Sequence, residues 1–314
     1  MSINASSADI HMGESKGFRP PETMTALAWK RFRRHPGALV GSVVLLVIIL
    51  SVTFAFLSPY DPEKSDIANR YQPPSLVHPF GTDGLGRDLL TRVLYGGRIS
   101  LFVGVMVMVI TLVIGVPVGA IAGYFGGWID NILMRIIDAI LSLPSLLILI
   151  LLSAILRSTD LPFVKSNNVM TIAVVIGILS WPTVARLVRA VFLTFREMEY
   201  VEAAQALGAT DIRIMVSEIL PNGFGPIIVE ATLEVGYAIM EESGLSFLGF
   251  GIMPPTPSWG NLLNNAAGHL IEYPWLAFFP GLMIFLTIIS INFIGDGLRD
   301  ALDPYKVFAK VEEQ

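Results

Sequence analysis

The sequence is dominated by long apolar runs that a fold in water has no means of burying. Residues 38–57 and 99–125 carry no charged side chain at all, and a helix needs about 20 largely apolar residues to cross a bilayer core. Four further runs qualify on length. Residues 132–156 hold Arg135 and Asp138 near one end and Pro144 at the middle, and residues 170–192 acquire Arg186 and Arg189 after Trp181-Pro182. Residues 224–248 are the most polar run, with four glutamates, and residues 275–294 open on Trp275. Proline and glycine inside such spans are compatible with helices whose neighbours re-satisfy the freed backbone groups. Six transmembrane helices are therefore expected, in an all-α integral membrane protein. Composition agrees: 53% of the residues are hydrophobic and 15% charged, against about 25% charged in soluble domains.

Basic residues orient the spans. Lys16, Arg19, Lys30, Arg31, Arg33 and Arg34 precede the first run, and an inside N-terminus also gathers Arg135, Arg186, Arg189, Arg196, Arg213 and Arg299 on the cytoplasmic side. Lys and Arg favour cytoplasmic loops, so both termini are read as cytoplasmic. The first run is too long for a signal-peptide core and ends without a small-x-small cleavage site, so it reads as a retained helix. The net charge of −5 offers no electrostatic footprint for nucleic acid. Membrane lipid is the expected surround.

Between the spans, residues 1–24 read as a flexible cytoplasmic tail and residues 25–58 as a flanking region with the first span. Residues 59–97 form an extracytoplasmic loop. Its end places Leu89, Leu90, Val93 and Leu94 on one helical face, so a short interfacial helix capped by Asp88 and closed by Gly96 is expected. Residues 98–296 form the core transmembrane domain, and residues 297–314 a cytoplasmic C-terminal tail.

Residues 193–222 differ in kind. Thr194 and Glu197 have capping-box spacing, so a helix is expected to start there. It runs through Glu202, Ala203 and Ala204 to Gly208, a residue suited to a left-handed helix end. Thr210 or Asp211 then caps a second helix that Pro221 ends. The expected product is a cytoplasmic helix–Gly–helix knob, tipped with small alanines and shaped for a partner's groove.

Catalytic chemistry is missing. No Gly-Lys pair occurs, so there is no phosphate-binding Walker loop. The chain has no cysteine, and His11, His35, His78 and His269 lie far apart, which gives no metal-ligand spacing. The histidines read as ordinary surface or interfacial residues. At about 100° per residue, Glu230, Glu234 and Glu241 fall at about 0°, 40° and 20° on one stripe of the fifth span, with Glu242 about 100° away from Glu241. Carboxyls at membrane depth face a bundle interior or an aqueous path. Two readings follow: a translocation pathway, or rim and helix–helix contacts in which only Glu234 is deep.

The segment Glu202-Ala203-Ala204…Gly208…Leu220-Pro221 resembles the EAA loop of ABC-importer permeases, although Glu218 stands where that family usually has an isoleucine. Four further segments resemble the second-permease subunit of oligopeptide/dipeptide (peptide/nickel) importers. They are His78-Pro79-Phe80-Gly81-Thr82-Asp83 with Gly86-Arg87-Asp88, the stretch from Glu242 to Gly249, Pro257-Ser258-Trp259-Gly260, and the stretch from Gly295 to Pro304. The resemblance implies a type I importer permease with a first helix flanking a five-helix core, in a prokaryotic inner membrane. It implies a non-catalytic subunit paired with a homologous permease, two ABC ATPases that use ATP and magnesium, and an extracytoplasmic solute-binding protein. Glu202, Ala203, Ala204 and Gly208 would form the coupling knob, with Leu220-Pro221 anchoring its return. Di- or oligopeptides are the expected cargo, with nickel chelates, glutathione and oligosaccharides as alternatives. A proton-coupled secondary transporter using the span-five carboxyls is the competing reading; in it the knob has no role.

Overall fold

A computed structural model describes residues 24–159 and 168–302. The expected N-terminal tail through residue 23, His11, Lys165 and Asp303-Pro304 lie outside those residues. Among the described residues the chain is helical, with a single isolated bridge between Thr82 and Asp88.

Helix α1 (Met24–Phe32) leads into α2 (Pro36–Thr53). His35 caps α2, its ring Nδ1 accepting from the Ala38 amide at 3.0 Å, and Pro36 takes the first-turn position where no N–H is missed. A 3₁₀ turn extends this span to Leu57. Val40, Val43, Leu46 and Val47 are exposed on α2, the apolar outer surface that a lipid-facing helix presents. Its other face meets α11 (Trp275–Leu302) closely: a Cβ on Gly41 would lie 2.7 Å from the Ser290 carbonyl, and one on Gly297 2.3 Å from the Ala38 Cβ. Small residues at both contacts let the backbones approach.

Helix α3 (Leu89–Phe125) is one rod of 37 residues. Asp88 caps it as expected, accepting from the Thr91 amide at 2.8 Å. Gly96 does not end it, which corrects the separate interfacial helix. The reason is packing: Gly96 and Gly97 let the backbone of Ser258 and the ring of Trp259 lie directly against α3, so the continuing helix gains contacts that a break would lose. Lower on α3, Gly115, Gly119 and Gly123 form a seam at four-residue spacing against α6 (Asn168–Phe195).

The third apolar run is not one helix. Helices α4 (Gly127–Leu141) and α5 (Ser145–Ser158) meet at 82°. Pro144 has no N–H to donate and forces Leu143 out of helical geometry, so the run breaks at residues 142–144 rather than passing straight through. Helices α7 (Glu199–Ala206) and α8 (Asp211–Asn222) form the knob, and α9 (Phe224–Phe247) leaves α8 at 71°. Within α8, residues Ile214–Ile219 widen to a π-helical turn just before Pro221, which relieves the clash between a proline ring and the preceding turn. The short α10 (Trp259–Ala266) precedes α11. Among the described residues four helices are long and apolar enough to cross a membrane alone, and up to six spans result if each bent pair counts as one.

Candidate functional site

The knob is anchored by its apolar underside. Val201, Ile214 and Ile219 are buried against Val184, Val188 and Phe192 of α6 and Ile227 of α9. Its start differs from the expected capping box. Thr194 is still inside α6, donating to the Ala190 carbonyl at 3.1 Å, and α7 begins only at Glu199 without a side-chain cap. Thr210 stands at the N-cap of α8 but makes no capping bond, while Asp211 accepts from Tyr124 Oη at 2.8 Å. Gly208 has φ +83°, the left-handed conformation that glycine adopts without a Cβ penalty.

The tip carries more apolar surface than the alanines suggested. Leu207 is 89% exposed and Ile212 71% exposed, and nothing in the sequence distinguishes either from an ordinary core residue. Glu202 and Ala203 are exposed, whereas Ala204 and Leu220 are half-buried against the underside. Pro221 is exposed, one residue before the α8 end. Leu207 and Ile212 flank Gly208, on either side of the turn between α7 and α8.

Salt bridges hold the membrane segment beside it. Arg189 grips Asp130 with Nε and Nη2 at 2.5 and 2.6 Å, joining α6 to α4. Arg186 reaches Asp138 on the same pair of helices.

On α9 the carboxyls divide. Glu234 is buried and Glu230 and Glu241 are half-buried, with the Ser180 hydroxyl of α6 at 3.5 Å from Glu241. Tyr237 and Met240 are exposed on the same helix. Glu242 belongs elsewhere. It is fully buried and accepts from Ser100 Oγ at 3.0 Å and Ser246 Oγ at 2.7 Å. The Ser100 hydroxyl in turn accepts from the Trp259 amide at 3.2 Å. Glu242 thus joins α9 to α3 and the start of α10, a structural role that its 100° offset from the stripe anticipated only in direction.

The loop between α2 and α3 is ordered by a charge network. Asp83 accepts from Arg87 Nε and Nη2, each at 2.8 Å, and Arg92 Nε lies 3.5 Å from the same carboxyl. Arg92 is fully buried and donates to the Pro62 carbonyl at 3.0 Å. His78 pairs with Asp88 at 2.9 Å, and His269 meets Tyr71 Oη at 3.1 Å. With His35 a helix cap, three of the histidines are specific structural partners rather than incidental surface residues. Among the described residues no group of three His, Cys, Asp or Glu is placed to hold a metal.

Comparison with known proteins places these features. Residues 115–306 match the binding-protein-dependent transport system inner membrane component, and residues 23–74 match the N-terminal TM domain of oligopeptide transport permease C. The glutathione transport system permease protein GsiD of Shigella flexneri is 42% identical over 278 residues, covering 88% of this chain and 89% of that protein. The GsiD protein of Salmonella typhimurium is 44% identical over the same length and coverage. Among solved structures, an inward-facing MetNI methionine ABC transporter chain superposes with a TM-score of 0.55 at 19% identity, over 67% of this chain and 96% of that one. That likeness supports the type I permease fold. Membership in this family makes the chain a non-catalytic component that works with separate ATPase subunits. The chain belongs to the inner-membrane permeases of binding-protein-dependent ABC importers, within their oligopeptide/dipeptide group.

Proposed function

We propose that the chain forms half of the translocation pathway of an importer for small peptides, glutathione included, with a homologous permease as its other half. The knob of residues 193–222 docks into a cleft of one ATPase of a pair; those ATPases bind ATP and magnesium, and a solute-binding protein delivers cargo from outside. The observation that carries this reading is the apex of the knob. Leu207, Gly208 and Ile212 stand exposed above an anchored base, uncovered by any of the described residues. Glu202 and Ala203 flank the contact, Ala204 and Gly208 shape it, and Leu220-Pro221 fix its return to α9.

The α9 face with Glu230, Glu234 and Glu241 lines the path. Partly buried carboxyls beside Ser180 suit the ammonium or amide groups of a peptide. Glu242 is assigned to structure rather than to the path. Glutathione is favoured among the peptide-class cargoes because the relatives at 42% and 44% identity are named glutathione permeases. A proton-driven carrier would leave the exposed apex without a purpose.

The test is uptake by the complete transporter reconstituted in liposomes. ATP-dependent uptake of glutathione or dialanine, exceeding that of a nickel–histidine chelate and maltotriose, is the expected result. Uptake by this chain alone, driven by a proton gradient, overturns it.

A further inference from the structure

Helix α3 reaches both faces of the molecule. At about 1.5 Å per residue it is about 55 Å long. Its inner end is held by both arms of the knob. Tyr124 Oη donates to Asp211 Oδ1, at the root of α8, at 2.8 Å. Arg196, just ahead of α7, donates from Nη1 to the carbonyls of Gly123 and Tyr124 at 3.2 and 3.4 Å. These contacts border a groove of about 420 Å³ that Glu197, Glu202 and Gln205 also line. The joint is polar and solvent-exposed, so it can be rearranged without uncovering an apolar core.

Above the joint the rod has little freedom. Cβ atoms on Gly115, Gly119 and Gly123 would lie within 3.0 Å of α6, and one on Gly104 would lie 2.9 Å from Ile239 of α9. Pro117 removes one helix hydrogen bond, but Gly115 and Gly119 lock the helix against α6 on either side of it. Close-packed elements transmit displacement rather than absorb it. At the outer end, α3 supplies Ser100 to Glu242 and the Val93 carbonyl to Trp259 Nε1, at 3.0 and 2.9 Å. The same helix therefore ends on the knob at one side and on the α9–α10 junction at the other.

We propose that Tyr124 is a positioning residue for transport: its hydrogen bond to Asp211 carries movement of the knob into α3, which delivers it to the Ser100–Glu242 contact. The inference rests on the reading of the knob as the ATPase-docking element. A rigid link between two sites acts only if the two states differ at both ends, so spin labels read the outer end while ATP hydrolysis and cross-linking read the knob.

The chain has no cysteine, so Leu85→Cys and Ile155→Cys place two spin labels near the outer ends of α3 and α5. The complete transporter, purified through a tag on this chain and held in nanodiscs, is measured without nucleotide and after ATP–vanadate trapping. The expected result is a change in label distance in the parent, which Tyr124→Phe and Asp211→Ala each reduce by roughly half or more, with ATP hydrolysis continuing in Tyr124→Phe. The double variant is expected to lose no more than either single one. An unreduced change in Tyr124→Phe, additive losses, or a parent that shows no change overturns the proposal. A parallel fall in hydrolysis in Tyr124→Phe overturns it too, since that reports a damaged ATPase contact. Should Tyr124→Phe fail to assemble, Asp211→Ala, which removes the acceptor, supplies the label-distance comparison. Cross-linking from Ala203→Cys to the ATPase separates the two readings. No cross-link in the parent defeats the docking reading, whereas a cross-link with an unreduced change defeats the role of Tyr124 alone.

Discussion

Glu242 on α9 and Ser100 on α3, 142 residues apart in the chain, meet at 3.0 Å in a fully buried contact. Around them, Ser246 donates to the same carboxyl and the Trp259 amide donates to Ser100. Removing the carboxyl leaves several buried hydroxyls without an acceptor. Glu242→Ala is therefore expected to destabilise the protein by about 2–4 kcal/mol. Glu242→Gln, which keeps one acceptor oxygen, is expected to cost less. Thermal unfolding of the purified protein in detergent measures both.

The glycine seam gives a sharp steric prediction. A Cβ at Gly119 would stand 2.4 Å from the Ala185 carbonyl and 2.8 Å from the Val188 Cβ, whereas one at Gly244 would meet nothing within 4 Å. Gly119→Ala is expected to destabilise by about 1–3 kcal/mol through overpacking. Gly244→Ala, in a helix, is expected to be neutral or stabilising by about 1 kcal/mol. Monodisperse yield in size-exclusion chromatography and melting temperature distinguish the two.

The two arginine–aspartate links between α6 and α4 are unequal. Asp130 is 9% exposed and held by two hydrogen bonds from Arg189, while the Arg186 and Asp138 side chains are each about half exposed. A lysine cannot reproduce the two-pronged grip, so Arg189→Lys is expected to lower the melting temperature. Arg186→Lys is expected to change stability by less than about 1 kcal/mol. Equal effects from the two substitutions would show that the bidentate geometry is immaterial.

At the knob, conformational strain and docking can be separated. Gly208 sits at φ +83° with open space around it, so a side chain there is opposed by the backbone alone. Gly208→Val is expected to cost about 1–3 kcal/mol locally, and Gly208→Asn much less, since asparagine tolerates the left-handed region. Leu207→Asp strains nothing and alters only the exposed apex. Both Gly208→Val and Leu207→Asp are expected to reduce co-purification of the ATPase subunits, with Gly208→Asn retaining it. Undiminished co-purification with Leu207→Asp removes the apex from the docking surface.

Much of this architecture was legible in the chain because the relevant physics is local or set by the solvent. A bilayer requires uninterrupted apolar length, and the runs at residues 38–57, 99–125, 170–192 and 275–294 meet that need without knowledge of their neighbours. Asp88 and Gly208 announce a helix start and a helix end through their own side-chain chemistry. Pro144 was visible too, but whether it bends a span slightly or by 82° depends on what packs around it.

The spacing of apolar runs, prolines, caps and charges determined a six-run membrane protein with a helix–Gly–helix knob. Tertiary structure alone decided that α3 continues through Gly96, that Glu242 is buried apart from Glu230, Glu234 and Glu241, and that Leu207 and Ile212 stand exposed. It also decided which partners Tyr124, Arg189 and the three described histidines would find. The division has one physical reason. Helix formation and membrane insertion depend on neighbours in sequence and on solvent, whereas burial and hydrogen-bond partnership depend on which distant segments share the same space.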